Sequence, residues 1–292
     1  MKYMTQTFSY LRRNFLLPTL VMIVPAVVAC FLSTPYWEVS FASAFDYKLY
    51  RSAGETFRIM FVDSWQYLWP VVVIAVCQVV AASLVMSAID RHFRTGNLSL
   101  KDPLRLLNNS IFPMAIGVAL MSVFSVVWRF VLFGLVMLVQ VIGHAANMPQ
   151  IAALAVISII AIVLFILHLV IVCPMLYFAP TMVIYGYGFR DAAGTSFKLI
   201  SSKKRFFKLF LQLVLPLLPC AVIQMALGYV GVPLWAMRLA GFLIFLYTNV
   251  YVTVYSILTF YRISELDRRD VKFYFEPLNM NTDYKKKSGG EK

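Results

Sequence analysis

Acidic residues are scarce in this chain. Only 13 Asp and Glu occur in 292 residues, and none of them falls inside an apolar run. Paired intramembrane carboxylates are therefore absent, and so are HExxH, GxSxG and a Gly-rich phosphate loop. The expectation is a protein that is not an enzyme and carries no cofactor. A membrane-embedded enzyme would have to work from the outer acids Glu38, Asp46, Glu55 and Asp63. Cysteine is also sparse: Cys30, Cys77, Cys173 and Cys220 all lie in apolar runs, with no CxxC pair. They read as small core residues rather than disulfides or metal ligands. Charge of either sign makes up 13% of the chain, against roughly a quarter in soluble domains.

Apolar length takes the place of charge. The chain is 61% hydrophobic with a mean hydropathy of +0.78. A helix needs about 20 apolar residues to cross a ~30 Å hydrocarbon core, because each backbone group must be paired within the span. Of the 26 Lys and Arg, 21 fall in four short segments: 1–14, 90–110, 186–209 and 262–292. The polar segments 34–65, 143–149 and 229–238 hold four, and Arg129 lies inside an apolar run. Basic residues stay on the cytoplasmic side during insertion. The alternation therefore predicts an all-α polytopic bundle of six transmembrane helices with both termini cytoplasmic. The net charge of +13 matches basic loops on an anionic leaflet, and no aromatic-basic signature points to nucleic acid. The expected partners are the bilayer, anionic lipids at the cytoplasmic face, and a membrane-complex partner or a second copy.

The predicted spans are about 15–33, 67–89, 111–142, 150–185, 206–228 and 239–261. They make a transmembrane domain over 1–261, followed by a basic cytoplasmic tail, 262–292. No Lys, Arg, Asp or Glu occurs from Ala145 to Phe189. Two crossings there would place Lys203, Lys204 and Arg205 outside, so one span is expected, kinked near Pro174 and Pro180. In the outer segment, Phe41, Phe45 and Leu49 recur at helical spacing, as do Phe57 and Phe61, which suits interfacial amphipathic helices. Val27-Val28-Ala29-Cys30 has the form of a lipoprotein signal, but apolar residues continue past the cysteine, so an uncleaved first span is expected. Lipidation of Cys30 stays open.

Three segments share a construction. Phe8-Ser-Tyr-Leu11, Leu104-Arg-Leu-Leu107 and Phe197-Lys-Leu-Ile200 are each followed by polar residues and then by Phe15, Phe112 and Phe206. Each reads as an amphipathic lead-in to an outward span, so the chain divides into three helical hairpins. Asp102-Pro103 suits the start of the second lead-in. Within 188–207, Ala193, Ser196, Leu199, Arg205 and Phe206 form an Ala-rich turn, a Ser with an aliphatic three residues on, and a basic-aromatic approach to a span. This stretch of about twenty residues resembles bacterial six-span families, namely the YciC-like proteins and the membrane domain attached to some glycerophosphodiester phosphodiesterases. The resemblance implies the six-span architecture and a bacterial cell membrane. The phosphodiesterase catalytic domain of those proteins has no counterpart here.

Arg129 is the sharpest local feature, because a charge at mid-bilayer costs roughly 2.5–3.5 kcal/mol on insertion scales. Counting ~1.5 Å per residue puts Arg129, Gln78 and Asn249 at one level, roughly 17–20 Å from the outer ends of their helices. Convergence of the three would make a donor-rich, positively charged cavity suited to an anion such as a lipid phosphate. The alternative for Arg129 is a bond to carbonyls freed at a kink, or an outward-reaching side chain. For Gln78, Asn249 and Gln212 the alternative is helix–helix adhesion. His168 and Gln212 fall at a second level, roughly 26 Å down, and His168, with no ligand-spaced partner, reads as a packed histidine. Asn249, Thr253 and Ser256 share one face of the last span beside a stripe of Tyr247, Tyr251 and Tyr255, which either lines a cavity or packs. Lys203, Lys204 and Arg205 are expected inner-surface contacts for lipid or a partner. Two functions are consistent with this pattern: transport or handling of a lipid or anionic amphiphile, and a non-catalytic membrane subunit or scaffold in which 97–109 and 189–204 dock a partner.

Overall fold

The computed structural model describes residues 2–32, 54, 57–58, 68–145, 150–200, 203–230 and 233–264. Among them the chain is all-helical, without a strand. The elements are α1 Lys2–Asn14, α2 Leu16–Leu32, α3 Leu68–Thr95, α4 Pro103–Ala145, α5 Gln150–Met175, α6 Phe178–Tyr185, α7 Phe189–Ile200, α8 Lys203–Val230 and α9 Leu234–Ile263. The expected interfacial helices of 34–65 lie outside the described residues except at Phe57, whose ring meets Phe133 of α4 edge-on at 5.7 Å. The tail beyond Ser264 also lies outside them.

Among the described residues, five stretches are long and apolar enough to cross a membrane: Trp69–Thr95, Pro103–Leu135, Ile162–Tyr185, Arg205–Gln224 and Trp235–Ile263. The first expected span, 15–33, corresponds to α2. With 17 residues, α2 sits at the lower limit for a crossing, and it becomes a sixth candidate only together with α1, from which it is bent by 93°. Pro18 accounts for the corner. It has no N–H for the Asn14 carbonyl, and its ring clashes with that carbonyl in a continuous helix. The Phe15 carbonyl instead starts α2, accepting from Thr19 at 3.2 Å.

The stretch 150–185 is built from α5 and α6. Pro174 sits in the last turn of α5, Leu176 and Tyr177 break the helix, and Pro180 falls in the first turn of α6, where a missing N–H costs nothing. Gly186 closes α6 with φ 68°, its N–H on Met182 O at 3.0 Å. That left-handed position is one a Cβ would strain.

The second lead-in differs from the other two. α1 and α7 are separate helices, whereas α4 runs unbroken through Leu104 and Pro113. It starts at Asp102, in the left-handed region at φ 59°, whose carbonyl accepts from Arg105 and Leu106. Serine hydroxyls tie α4 to α3 just before Pro113. Ser83 donates to Ser110 O, and both Ser87 and Ser110 donate to Leu106 O, at 2.9–3.4 Å.

Two buried clusters hold the bundle together. One joins Tyr10 and Leu11 of α1, Met22 of α2, Val85, Met86, Ile89 and Phe93 of α3, Ala179 of α6, and Val254, Ile257 and Tyr261 of α9. The other joins Leu169 and Cys173 of α5, Tyr177, Ile200 of α7, Leu209, Leu213 and Leu217 of α8, and Tyr251, Tyr255 and Phe260 of α9. Both lie toward the ends of the helices that carry the cations, called here the basic end. α9 serves both clusters, so almost every residue from Val250 to Tyr261 is buried, while none from Trp235 to Asn249 is.

Candidate functional site

Gln78 on α3 and Asn249 on α9 meet directly. Gln78 Nε2 donates to Asn249 Oδ1 at 2.6 Å, and Asn249 Nδ2 donates to Phe245 O one turn back, at 2.8 Å. Both side chains are half-buried and sit where the core begins: Ala81 follows Gln78 by three residues, and Val250 follows Asn249. Gln78 Oε1 and its second N–H make no hydrogen bond with the described residues, so the pair keeps an acceptor and a donor for something else.

Arg129, the third residue of the expected cavity, lies in α4, but its side chain lies outside the described residues. Its neighbour Trp128 belongs to an aromatic cluster with Phe124 and His168. The His168 ring is 5.2 Å from Phe124 and 5.7 Å from Trp128, which ties α4 to α5. His168 Nδ1 is buried there without a hydrogen-bond partner. Gln212 goes elsewhere. It is 2% exposed, its Oε1 accepts the Met4 N–H at 2.9 Å, and its carbonyl accepts the Tyr251 hydroxyl at 2.7 Å. The second level therefore sends its two residues to different neighbours.

The polar face of α9 packs below Asn249. Thr253 and Ser256 are buried. The tyrosine stripe stacks on itself, with ring separations of 6.0 and 5.5 Å, and Tyr255 donates to Leu209 O at 2.9 Å. Lys203 and Lys204 open α8, with side chains outside the described residues. Arg205 Nη1 donates to Leu199 O at 3.2 Å, closing the carbonyl end of α7. The other residues behind the family resemblance serve the same corner. Ser196 is buried against Ala192 O and Thr181, while Leu199 and Phe206 pack on the second core cluster.

The sequence reading did not single out two contacts at the basic end. Tyr10 Oη meets His92 Nδ1 at 2.9 Å, tying α1 to α3. Tyr261 donates to Asp90, which also pairs with Arg94 at 2.8 Å. The i,i+4 spacing of Asp90 and Arg94 was a visible signal for their ion pair. Neither tyrosine contact has one, because they join residues 82 and 171 apart. At the opposite end, Cys30 Sγ donates to Arg238 O at 3.4 Å, and Arg238 Nε is buried without a hydrogen-bond partner. Among the described residues no group of three His, Cys, Asp or Glu could hold a metal. Comparison with protein families, curated proteins and solved structures finds no match to this chain.

Proposed function

We propose that this chain is a six-span protein of the bacterial cell membrane, with both ends cytoplasmic. It binds a lipid or other anionic amphiphile between the halves of α3, α4 and α9 that face away from the basic end, in order to transport or present it. The Gln78–Asn249 pair carries the reading. Two amides are hydrogen-bonded across helices at the edge of the packed core, half-buried, with bonding capacity left over. Unused polar capacity at that depth favours a polar ligand group over lipid tails. Arg129 on α4 would supply the positive charge, its guanidinium forking onto phosphate or carboxylate oxygens.

Native mass spectrometry of the purified protein tests this. Wild type is expected to retain an anionic lipid that both Arg129→Ala and Gln78→Leu lose. Equal retention in all three proteins, or none in wild type, overturns the reading. A second reading, a permease-like subunit of a larger complex, draws on α7, which leaves Phe189 49% and Phe197 59% exposed. It requires a stable co-purifying protein that Phe197→Ser releases.

A further inference from the structure

We infer that α1 and α7 are a matched pair of helices lying in the bilayer leaflet at the basic end, each placing one phenylalanine, Phe8 or Phe197, in the hydrocarbon. The partner is the bilayer surface itself. At about 3.6 residues per turn, the circumference of α1 divides into three parts. Gln6, Tyr10, Thr7 and Leu11 are buried, Met4 and Phe8 form an apolar edge, and Arg12, Thr5, Lys2 and Arg13 form a polar face. α7 divides in the same rotational order. Ala192, Ser196 and Ile200 are buried, Ala193 and Phe197 form the edge, and Arg190, Gly194, Lys198 and Asp191 form the polar face. Phe189, at the helix start, falls on the buried side and meets Phe178 at 5.2 Å. Phe8 is 40% and Phe197 59% exposed. Two further details match. Thr7 and Ser196 each precede the exposed phenylalanine and donate one turn back, to Tyr3 O at 3.0 Å and Ala192 O at 2.7 Å. Leu11 and Ile200 each follow it by three residues, and both are buried.

A helix on the flank of a water-soluble protein meets two media and needs two faces. Three parts in this order suit a helix with protein on one side, hydrocarbon below and water above. Connectivity gives the same placement. α2 runs along α9 from Met22 in the first cluster to Cys30, whose Sγ donates to Arg238 O. The 93° bend before α2 therefore lays α1 across the basic end, where the Phe8 ring lies 5.5 Å from Tyr251 of α9. α7 joins the end of one membrane-suited stretch, Ile162–Tyr185, to the start of another, Arg205–Gln224. The polar faces carry Lys2, Arg12 and Arg13 on α1, and Arg190 and Lys198 against one acid, Asp191, on α7. Their net positive charge complements anionic headgroups. The inference needs a bilayer but not the Gln78–Asn249 pair, so either can fail without the other.

Photo-crosslinking on the full chain tests the inference. Benzoylphenylalanine is placed singly at Phe8, Phe197, Gly194 or Arg12. Each protein is irradiated in its native membrane, purified, and read by intact mass. The substitution keeps the phenylalanine framework at Phe8 and Phe197, and a Cβ added at Gly194 meets nothing within 4 Å. The proteins labelled at Phe8 and Phe197 are expected to carry a covalently attached phospholipid, and those labelled at Gly194 and Arg12 none. Phospholipid at only one of the two phenylalanines, or at neither, overturns the matched pair, as does an equal yield at all four positions. A second protein attached at Phe197 overturns it in favour of a protein-docking face on α7.

Discussion

Gln78 and Asn249 are each the other's main polar neighbour, so their energies are coupled. Replacing one by leucine strands the second amide beside lipid or cavity. Replacing both removes the need for either. Hydrogen bonds between membrane helices average about 0.6 kcal/mol and reach about 1.7 kcal/mol. A contact at 2.6 Å should lie in the upper part of that range. A double-mutant cycle with Gln78→Leu and Asn249→Leu, read by thermal unfolding in detergent, is expected to show this coupling, and additive effects would mean the bond does not hold α3 to α9. The shared level of the two amides was legible from helical rise alone, since each could be counted from the end of its own helix. Their facing was not. Rotation about a helix axis depends on which neighbour it packs against, and that is a tertiary property. The same counting grouped His168 with Gln212, yet the first packs among rings of α4 and the second accepts a backbone N–H from α1.

At the scale of elements, proline placement explains why some breaks could be read from sequence and others could not. Pro174 and Pro180 marked the joint between α5 and α6, whereas Pro18, at the corner between α1 and α2, was not singled out. Pro113 gave the same local signal without a break: α4 continues through it, tied to α3 one turn earlier by Ser83 and Ser87 on the Ser110 and Leu106 carbonyls. Restoring the N–H at the corner tests the local cause. Pro18→Ala should let α1 and α2 straighten from their 93° bend and lift α1 away from α8. Spin labels at Thr5 and Lys208, both exposed, should then give a longer and broader distance distribution. An unchanged distribution would mean that the Met4–Gln212 and Phe8–Tyr251 contacts set the corner by themselves. Length is a further element property. At the helical rise, the 43 residues of α4 extend about 64 Å, well past the ~30 Å hydrocarbon core. The composition showed an apolar run here but not how far the helix would continue beyond it.

Among the described residues of the molecule, burial is concentrated at one end. Substitutions should therefore divide by position along α9 rather than by residue type. Tyr255→Ala opens space in a fully buried site between the second cluster and the helix that both clusters share. It should cost roughly 3–5 kcal/mol, as large-to-small core changes do. Leu243→Ala, on the same helix at 54% exposure, should cost no more than about 0.5 kcal/mol. Thermal unfolding of both variants measures the difference, and similar losses would show that the far half of α9 is packed as tightly as the rest. The charge pattern and the apolar runs made the helical, membrane-suited composition legible in advance. They carried no information about this gradient, because hydrophobic residues facing lipid and those facing a protein core look alike in sequence.

The gradient also constrains how the bundle can move. Among the described residues α9 is buried from Val250 onward and not before it, so the described helices are joined like the tines of a clamp at its hinge. Two gates opening in turn on opposite faces would need that joint itself to come apart, so under the proposed function a ligand would enter and leave on the other side.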